Sequence, residues 1–339
     1  MRRSLSNPAV LAILLGLVGR PVVAGAQEDF LPHGPMRSGD GTASEGAEFL
    51  LLPVGAKSVG MGGAVAGLRG DGELVLWNPA GVAHLEKRRL LVNHSEGAFD
   101  TRSQVLALLW PTKSFGTLGV TYYLVDYGEL TSTDPYGSEQ GTINFRNQEF
   151  LLSFATHVFG PLEAGINYKL IQLIFRCDGL CADQQSFTRT THAVDLGLIY
   201  DRVAGLPLSV GGSVRHLGFA LQGADEDDQL PTRVRVGVAY DALSALLSDS
   251  TFALAIALDL EDQWRDLGAP DLMVGSELGV AERFFLRAGY AFLDAGLGGP
   301  SLGLGLTYDW FYVDLSRGFD DISAATGEEA MQVSFGVMF

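Results

Sequence analysis

The sequence predicts an all-β chain, a transmembrane antiparallel β-barrel of about fourteen strands. Three observations predict it. Apolar residues recur at every second position through most of the chain, the period of a strand with two unlike faces. A secretory signal opens the sequence, so the chain is exported. The sequence closes on an alternating segment that ends with Phe339.

The signal comes first. Arg2 and Arg3 form a basic start, Ala9 to Val18 an apolar run, and Ala24-Gly25-Ala26 a small-x-small cleavage site. The run falls short of the roughly 20 apolar residues that a spanning helix needs. Residues 1–26 are therefore expected to be removed, and no cysteine follows to make a lipoprotein. Loss of Arg2, Arg3 and Arg20 takes the formal charge from −17 to −20. Residues 27–45 read as a flexible lead. No later stretch is long and apolar enough for a transmembrane helix, which leaves the periplasm, the outer membrane or the medium. With 40 acidic against 23 basic residues, nothing here suits a nucleic-acid partner. An apolar content of 47% excludes a disordered chain, and two cysteines exclude a disulfide-dense scaffold.

The strands follow in order. Alternation places them near 89–97, 102–110, 115–127, 147–158, 162–176, 189–201, 207–221, 231–242, 250–261, 270–280, 283–293, 300–309, 310–319 and 329–339. In 300–309, for example, Leu302, Leu304, Leu306 and Tyr308 alternate with Gly303, Gly305, Thr307 and Asp309. One face is apolar and the other small or polar, as in a wall between lipid and a filled lumen. Short connections alternate with longer polar ones at 128–146, 177–188, 222–230, 262–269, 294–299 and 320–328, the rhythm of periplasmic turns and outer loops. Two segments change parity, 162–176 and 207–221. Each is either a bulge in the wall or a strand tip rising above the lipid. In the last segment Met331, Val333, Phe335, Val337 and Phe339 share a face. That pattern is similar to the assembly signal on the last strand of bacterial outer-membrane barrels, whose partners are membrane lipid and the barrel assembly machinery. Trp110, Tyr127, Tyr200, Tyr240, Tyr290, Tyr308 and Trp310 fall near strand ends, as interfacial girdles do.

Residues 46–86 do not alternate. They contain Gly55-Ala-Lys-Ser-Val-Gly-Met-Gly-Gly-Ala64 and Trp77-Asn78-Pro79-Ala80-Gly81, dominated by small residues that let backbones approach. This block resembles the start of PorV/PorQ-type proteins, relatives of the long-chain fatty-acid transporters of the outer membrane. The resemblance implies a fourteen-strand barrel at 87–339 with residues 46–86 folded into the lumen as a plug, its motif being Lys57, Met61, Gly62, Gly63, Trp77, Asn78 and Pro79. It also implies two roles. One is a secretion-associated, type IX-like barrel that engages exported cargo proteins. The other is passage of hydrophobic small molecules. The block resembles the secretion-associated branch more closely.

The inward parity carries charges of both signs: Asp195, Arg215, Arg233, Arg235, Asp259, Glu277, Arg287 and Asp314, with Asn167 and Lys169. They read either as a lattice that fills the lumen or as a polar path for solute, since buried charge must be paired or hydrated. Cys177 and Cys181, in a predicted outer loop of an oxidising compartment, are expected to form a local disulfide. Asp225 to Asp228 read as a solvated acidic loop rather than a calcium site. The six histidines show no HExxH or paired zinc spacing, and no G-x-S-x-G elbow occurs, so no metal, cofactor or catalytic residue is expected.

Overall fold

The computed structural model describes residues 45–97, 100–134, 136–181, 185–222, 227–243, 251–293, 298–319 and 330–339. The signal 1–26, the lead as far as residue 44, and Asp225 and Glu226 of the acidic run lie outside them.

Fourteen strands close into one antiparallel barrel. They are β1 (Arg89–Glu96), β2 (Arg102–Thr112), β3 (Gly116–Thr133), β4 (Glu139–Phe159), β5 (Leu162–Gly179), β6 (Phe187–Tyr200), β7 (Leu208–Gly218), β8 (Arg233–Asp241), β9 (Phe252–Gln263), β10 (Asp266–Val280), β11 (Phe284–Phe292), β12 (Gly299–Tyr308), β13 (Phe311–Gly318) and β14 (Met331–Met338). Each pairs with its sequence neighbour, and β1 closes on β14 with Arg89 opposite Met338 and Glu96 opposite Met331. Phe339 continues this seam, exchanging backbone hydrogen bonds with Arg88. Closure leaves no free sheet edge, the arrangement that lets strands cross lipid.

The outward face is an apolar band. Leu152 and Leu304 are 58% and 59% exposed, and Leu106, Val120, Leu198, Val236, Leu258 and Leu286 are exposed beside them. Exposed apolar side chains in such number have no stable place in water, so the band faces lipid. It covers four or five outward positions per strand. At about 3.3 Å per residue and a tilt of about 40°, that is a height of about 20 Å. Trp110, Tyr200, Tyr240, Tyr290, Tyr308 and Trp310 are exposed on the outward face. Tyr127 differs: it packs on the interior cluster and accepts a hydrogen bond from Asn147 at 3.5 Å. On β3–β6 the top of the band is a ladder of outward polar side chains. Tyr122 Oη donates to Gln148, Gln148 Nε2 to Gln172 at 2.6 Å, and Gln172 Nε2 to Thr190 at 3.2 Å.

Much of the predicted loop 128–146 is strand. β3 runs to Thr133 and β4 starts at Glu139. Above the lipid neither face needs to be apolar, so the alternation fades while the backbone ladder continues. The predicted loop at 262–269 is likewise a tight turn between β9 and β10.

The two parity changes have different causes. In β5 pairing to both neighbours is continuous through the change, from Asn167 opposite Asp195 to Phe175 opposite Phe187. Odd positions stay inward, and it is the lumen face that turns apolar, with Ile171 and Phe175 buried. In β7 the change is a bulge. Register shifts between Val194 and Leu196, His216 takes φ 60°, and its N–H donates to Asp195 Oδ1 at 2.9 Å.

Residues 45–86 touch the inner wall on opposite sides. A short helix, α1 (Ala56–Gly60), packs on β11–β14, and the 3-10 turn Pro79–Val82 packs on β4–β6. Asp71 Oδ1 accepts from the Glu73 N–H at 3.0 Å and so starts the 3-10 turn Gly72–Leu76.

Candidate functional site

The site is the lumen, which the N-terminal segment and the inward wall build together. Asn78 ties the segment to the wall. Its Oδ1 accepts from the Ala80 N–H at 3.1 Å and caps the turn that Pro79 begins. Its Nδ2 donates to the Ala66 carbonyl at 2.8 Å and to the wall carbonyl of Leu198 at 3.3 Å. A Cβ at Gly197 would collide with Asn78 Oδ1, and one at Gly165 with the Pro79 backbone, so only glycine lets the segment approach there. The same holds across the lumen, where Gly275 and Gly289 face the Met61 and Gly62 backbone. Gly62 itself has φ 63°, a left-handed conformation that glycine adopts without strain.

Trp77 Nε1 donates to the Val54 carbonyl at 3.0 Å, and the guanidinium groups of Arg215 and Arg235 lie 4.9 and 4.8 Å from its ring centre. Both arginines donate to Glu261, at 2.8 and 2.7 Å. Arg235 also reaches the Gly63 carbonyl, while Asp259 Oδ2 accepts from the N–H groups of Val65 and Ala66, each at 2.8 Å. On β4–β6 Lys169 Nζ lies 2.9 Å from both Glu149 and Asp195 and 3.1 Å from His216. Asn167 Nδ2 joins Asp195 at 2.9 Å to the Val75 carbonyl at 2.7 Å. On β10–β13 Arg287 pairs with Glu277 and Asp314, and Lys57 lies 3.3 Å from Glu277 and 3.6 Å from Asp71. At the outer mouth Arg233 donates two bonds to Glu45, at 3.0 and 2.9 Å. Each of these charged groups has an opposite charge beside it, and Arg235 and Asp259 also hold backbone groups of the segment.

Glu73 sits between α1 and the wall. Its Oε2 accepts from the Lys57 and Ser58 N–H groups at 3.0 and 3.3 Å, and its Oε1 accepts from the Ser334 hydroxyl. Burial, aided by the Asp71 and Asp314 carboxylates, raises its pKa to about 7 against the opposing Ser334 bond. Burial also acts on Asp71, but Lys57 and Arg89 outweigh it and hold that carboxyl below its usual range.

Above the charges, on the β3–β6 side, the lumen is apolar. Phe49 and Leu50 of the segment share a buried cluster with Tyr123, Val125, Leu151 and Ile171. Phe145, Phe175 and Phe187 stand opposite one another on β4, β5 and β6, all on inward parity, with ring centres 4.9 and 5.2 Å apart. Phe175 is buried while Phe145 and Phe187 are exposed, so the row opens at the outer rim. Beside it β7 ends at Gly218 opposite Ala193, and further out the contacts of β6 on that side are made by single residues, Thr191 Oγ1 donating to the Phe219 carbonyl at 2.8 Å and Arg189 lying 3.5 Å from Asp228. A second concavity of about 420 Å³ lies between the outer ends of β2, β3 and β4. Asp100, Arg102, Gln104, Asp126, Glu129 and Arg146 make it polar and unsuited to an apolar ligand.

Cys177 and Cys181 are joined by a disulfide, with Cys177 on the end of β5 and not in a loop. Met331, Phe335 and Phe339 are exposed on the outward face at the β14 seam. The sequence reading missed Glu149, Glu163 and Glu261, although their inward parity on predicted strands was a usable signal. It missed the phenylalanine row because two of its members fell in segments read as loops. It also missed that His84, His157 and Glu163 converge.

No family model matches this chain, and no curated protein sequence does. Solved structures do. The toluene transporter TbuX of Ralstonia pickettii superposes with a TM-score of 0.59 at 12% identity, over 86% of this chain and 100% of its own. The monoaromatic hydrocarbon channel CymD gives 0.60 at 14% identity, over 85% and 98%. A FadL homologue of Pseudomonas aeruginosa gives 0.54 at 11% identity, over 85% and 98%. The fold is therefore that of these Gram-negative outer-membrane barrels, and with its lipid-facing band this chain is an outer-membrane β-barrel.

Proposed function

We propose that this chain is an outer-membrane channel for hydrophobic small molecules, with residues 46–86 as its plug. The observation that carries the reading is the Phe145–Phe175–Phe187 row, aromatic rings on the inward face near the outer rim, with Ile171 of the buried apolar cluster on the same face of β5. Apolar rings stacked on an inward face offer a ligand area to bury without a polar group to desolvate. Of the solved barrels of like fold, one is a toluene transporter and another a monoaromatic hydrocarbon channel, and this supports transport over the secretion-associated role that the resemblance of residues 56–64 and 77–81 implies. Catalysis has no part in the reading.

Uptake of labelled toluene and of a labelled long-chain fatty acid, by cells with and without the protein, tests it. Expression is expected to raise uptake of one of them, and Phe175→Ser to reduce that gain at equal amounts of folded barrel. Equal uptake with and without the protein would remove the reading. A stoichiometric exported protein on the gently extracted barrel would restore the secretion role.

A further inference from the structure

We propose that His84, His157 and Glu163 form a binding site for a divalent late first-row transition ion, zinc foremost, at the short-turn end of the barrel. His84 lies just beyond the 3-10 turn Pro79–Val82, at the end of the N-terminal segment. His157 on β4 and Glu163 on β5 stand directly opposite each other across the wall. Three ligand atoms, one from each residue, lie within 4.8 Å of one another. His157 Nε2 is 3.1 Å and His84 Nδ1 3.7 Å from Glu163 Oε1. Ligands of a tetrahedral ion with bonds of about 2.05 Å sit about 3.3 Å apart. Both imidazoles are 51% exposed and free to close the remaining ångström or so.

The carboxylate supplies a second, independent observation. Glu163 is 1% exposed, and its Oε2 is buried with no hydrogen-bond partner among the described residues. A buried acceptor left unmade is costly, and an ion held by both oxygens of the carboxylate satisfies it. Arg69 does not fill that role. Its NH1 lies 3.2 Å from Oε1, the other oxygen, and its NH2 lies 3.0 Å from Asp201. Arg202 Nε also lies 3.8 Å from Asp201, and Glu163 Oε2 is left without a hydrogen bond from either guanidinium. Two imidazoles and one carboxylate suit zinc, copper or nickel rather than magnesium or calcium, and three protein ligands leave a fourth position for water. Such an ion fastens the end of the segment to the β4–β5 turn. The Glu45–Arg233 pair fastens its start to the opposite mouth.

The test uses full-length, tag-free protein in detergent, stripped with EDTA. Calorimetric titration is expected to give one Zn²⁺ per chain and no response to Mg²⁺. One equivalent of Cu²⁺ is expected to give an electron paramagnetic resonance spectrum with imidazole nitrogen coupling. His84→Ala and His157→Ala alter exposed side chains, and heat-modifiable migration on gels checks that each barrel stays folded. Each is expected to weaken Zn²⁺ binding by about tenfold or more. Binding unchanged in the double variant, or no stoichiometric Zn²⁺ on the wild-type protein, overturns the proposal.

Discussion

The two sides of the inner wall solve the same packing problem with opposite chemistry. On β3–β6 the lumen face is large and apolar toward the outer mouth, with Tyr123, Leu151, Ile171 and Phe175. On β10–β14 it is mostly small or ionised, with Gly275, Gly289, Gly303, Arg287, Asp314 and Ser334 beside the larger Met273 and Tyr312. The N-terminal segment explains the difference. Its backbone at Met61 and Gly62 lies directly on the second wall, where a side chain has no room and the peptide groups need polar partners. On the first wall the segment offers Phe49 and Leu50, whose partners are apolar. The comparison teaches that a lumen-facing residue here is chosen by what the segment puts against it.

The ionised wall should be the more fragile. Arg287→Met leaves Glu277 and Asp314 without their shared partner, although Lys57 remains near Glu277. Breaking a buried network in this way is expected to cost about 3–5 kcal/mol, read as a lower unfolding temperature in detergent. A loss below about 1 kcal/mol would mean that water, and not protein, balances that wall.

Glu73 gives the same wall a pH dependence. Its folded-state value of about 7 lies above the ordinary 4.5, so the folded protein holds a proton there that the unfolded chain has lost. This contribution is fully present below pH 4.5 and is lost as pH rises through 7, roughly 3 kcal/mol in all. Glu73→Gln cannot ionise, and unfolding midpoints measured from pH 4 to 8 should show its slope flatter than that of the wild-type protein.

The apolar wall predicts the smallest effect. Ile171→Val removes one buried methylene and is expected to cost about 1 kcal/mol, with no dependence on pH. An effect as large as that of Arg287→Met would erase the contrast between the walls.

Much of the wall was legible in the sequence. The apolar outward residues of β12, Leu302 to Tyr308, face lipid, and lipid enforces period two without exception for neighbours. The inward charges were legible as a class, because each sits on the minority parity of its strand. Their partners were not. Arg235 meets Glu261 on the adjacent strand, yet also the Gly63 carbonyl 172 positions away. The tall ends of β3 and β4 were misread as loop because water imposes no alternation on a strand that has left the bilayer.

By itself, then, the sequence determined the barrel, its strand order and which face of each strand meets lipid, because the bilayer reads one residue at a time. Only the tertiary structure decided that the change of parity in β5 is an apolar inner face and the one in β7 a bulge, since both leave the same trace in one dimension. It alone brought Phe145, Phe175 and Phe187 into a row, and His84 to His157 and Glu163. Those groups are separated along the chain and meet only through strand register and the path of the segment across the lumen, which no local pattern records.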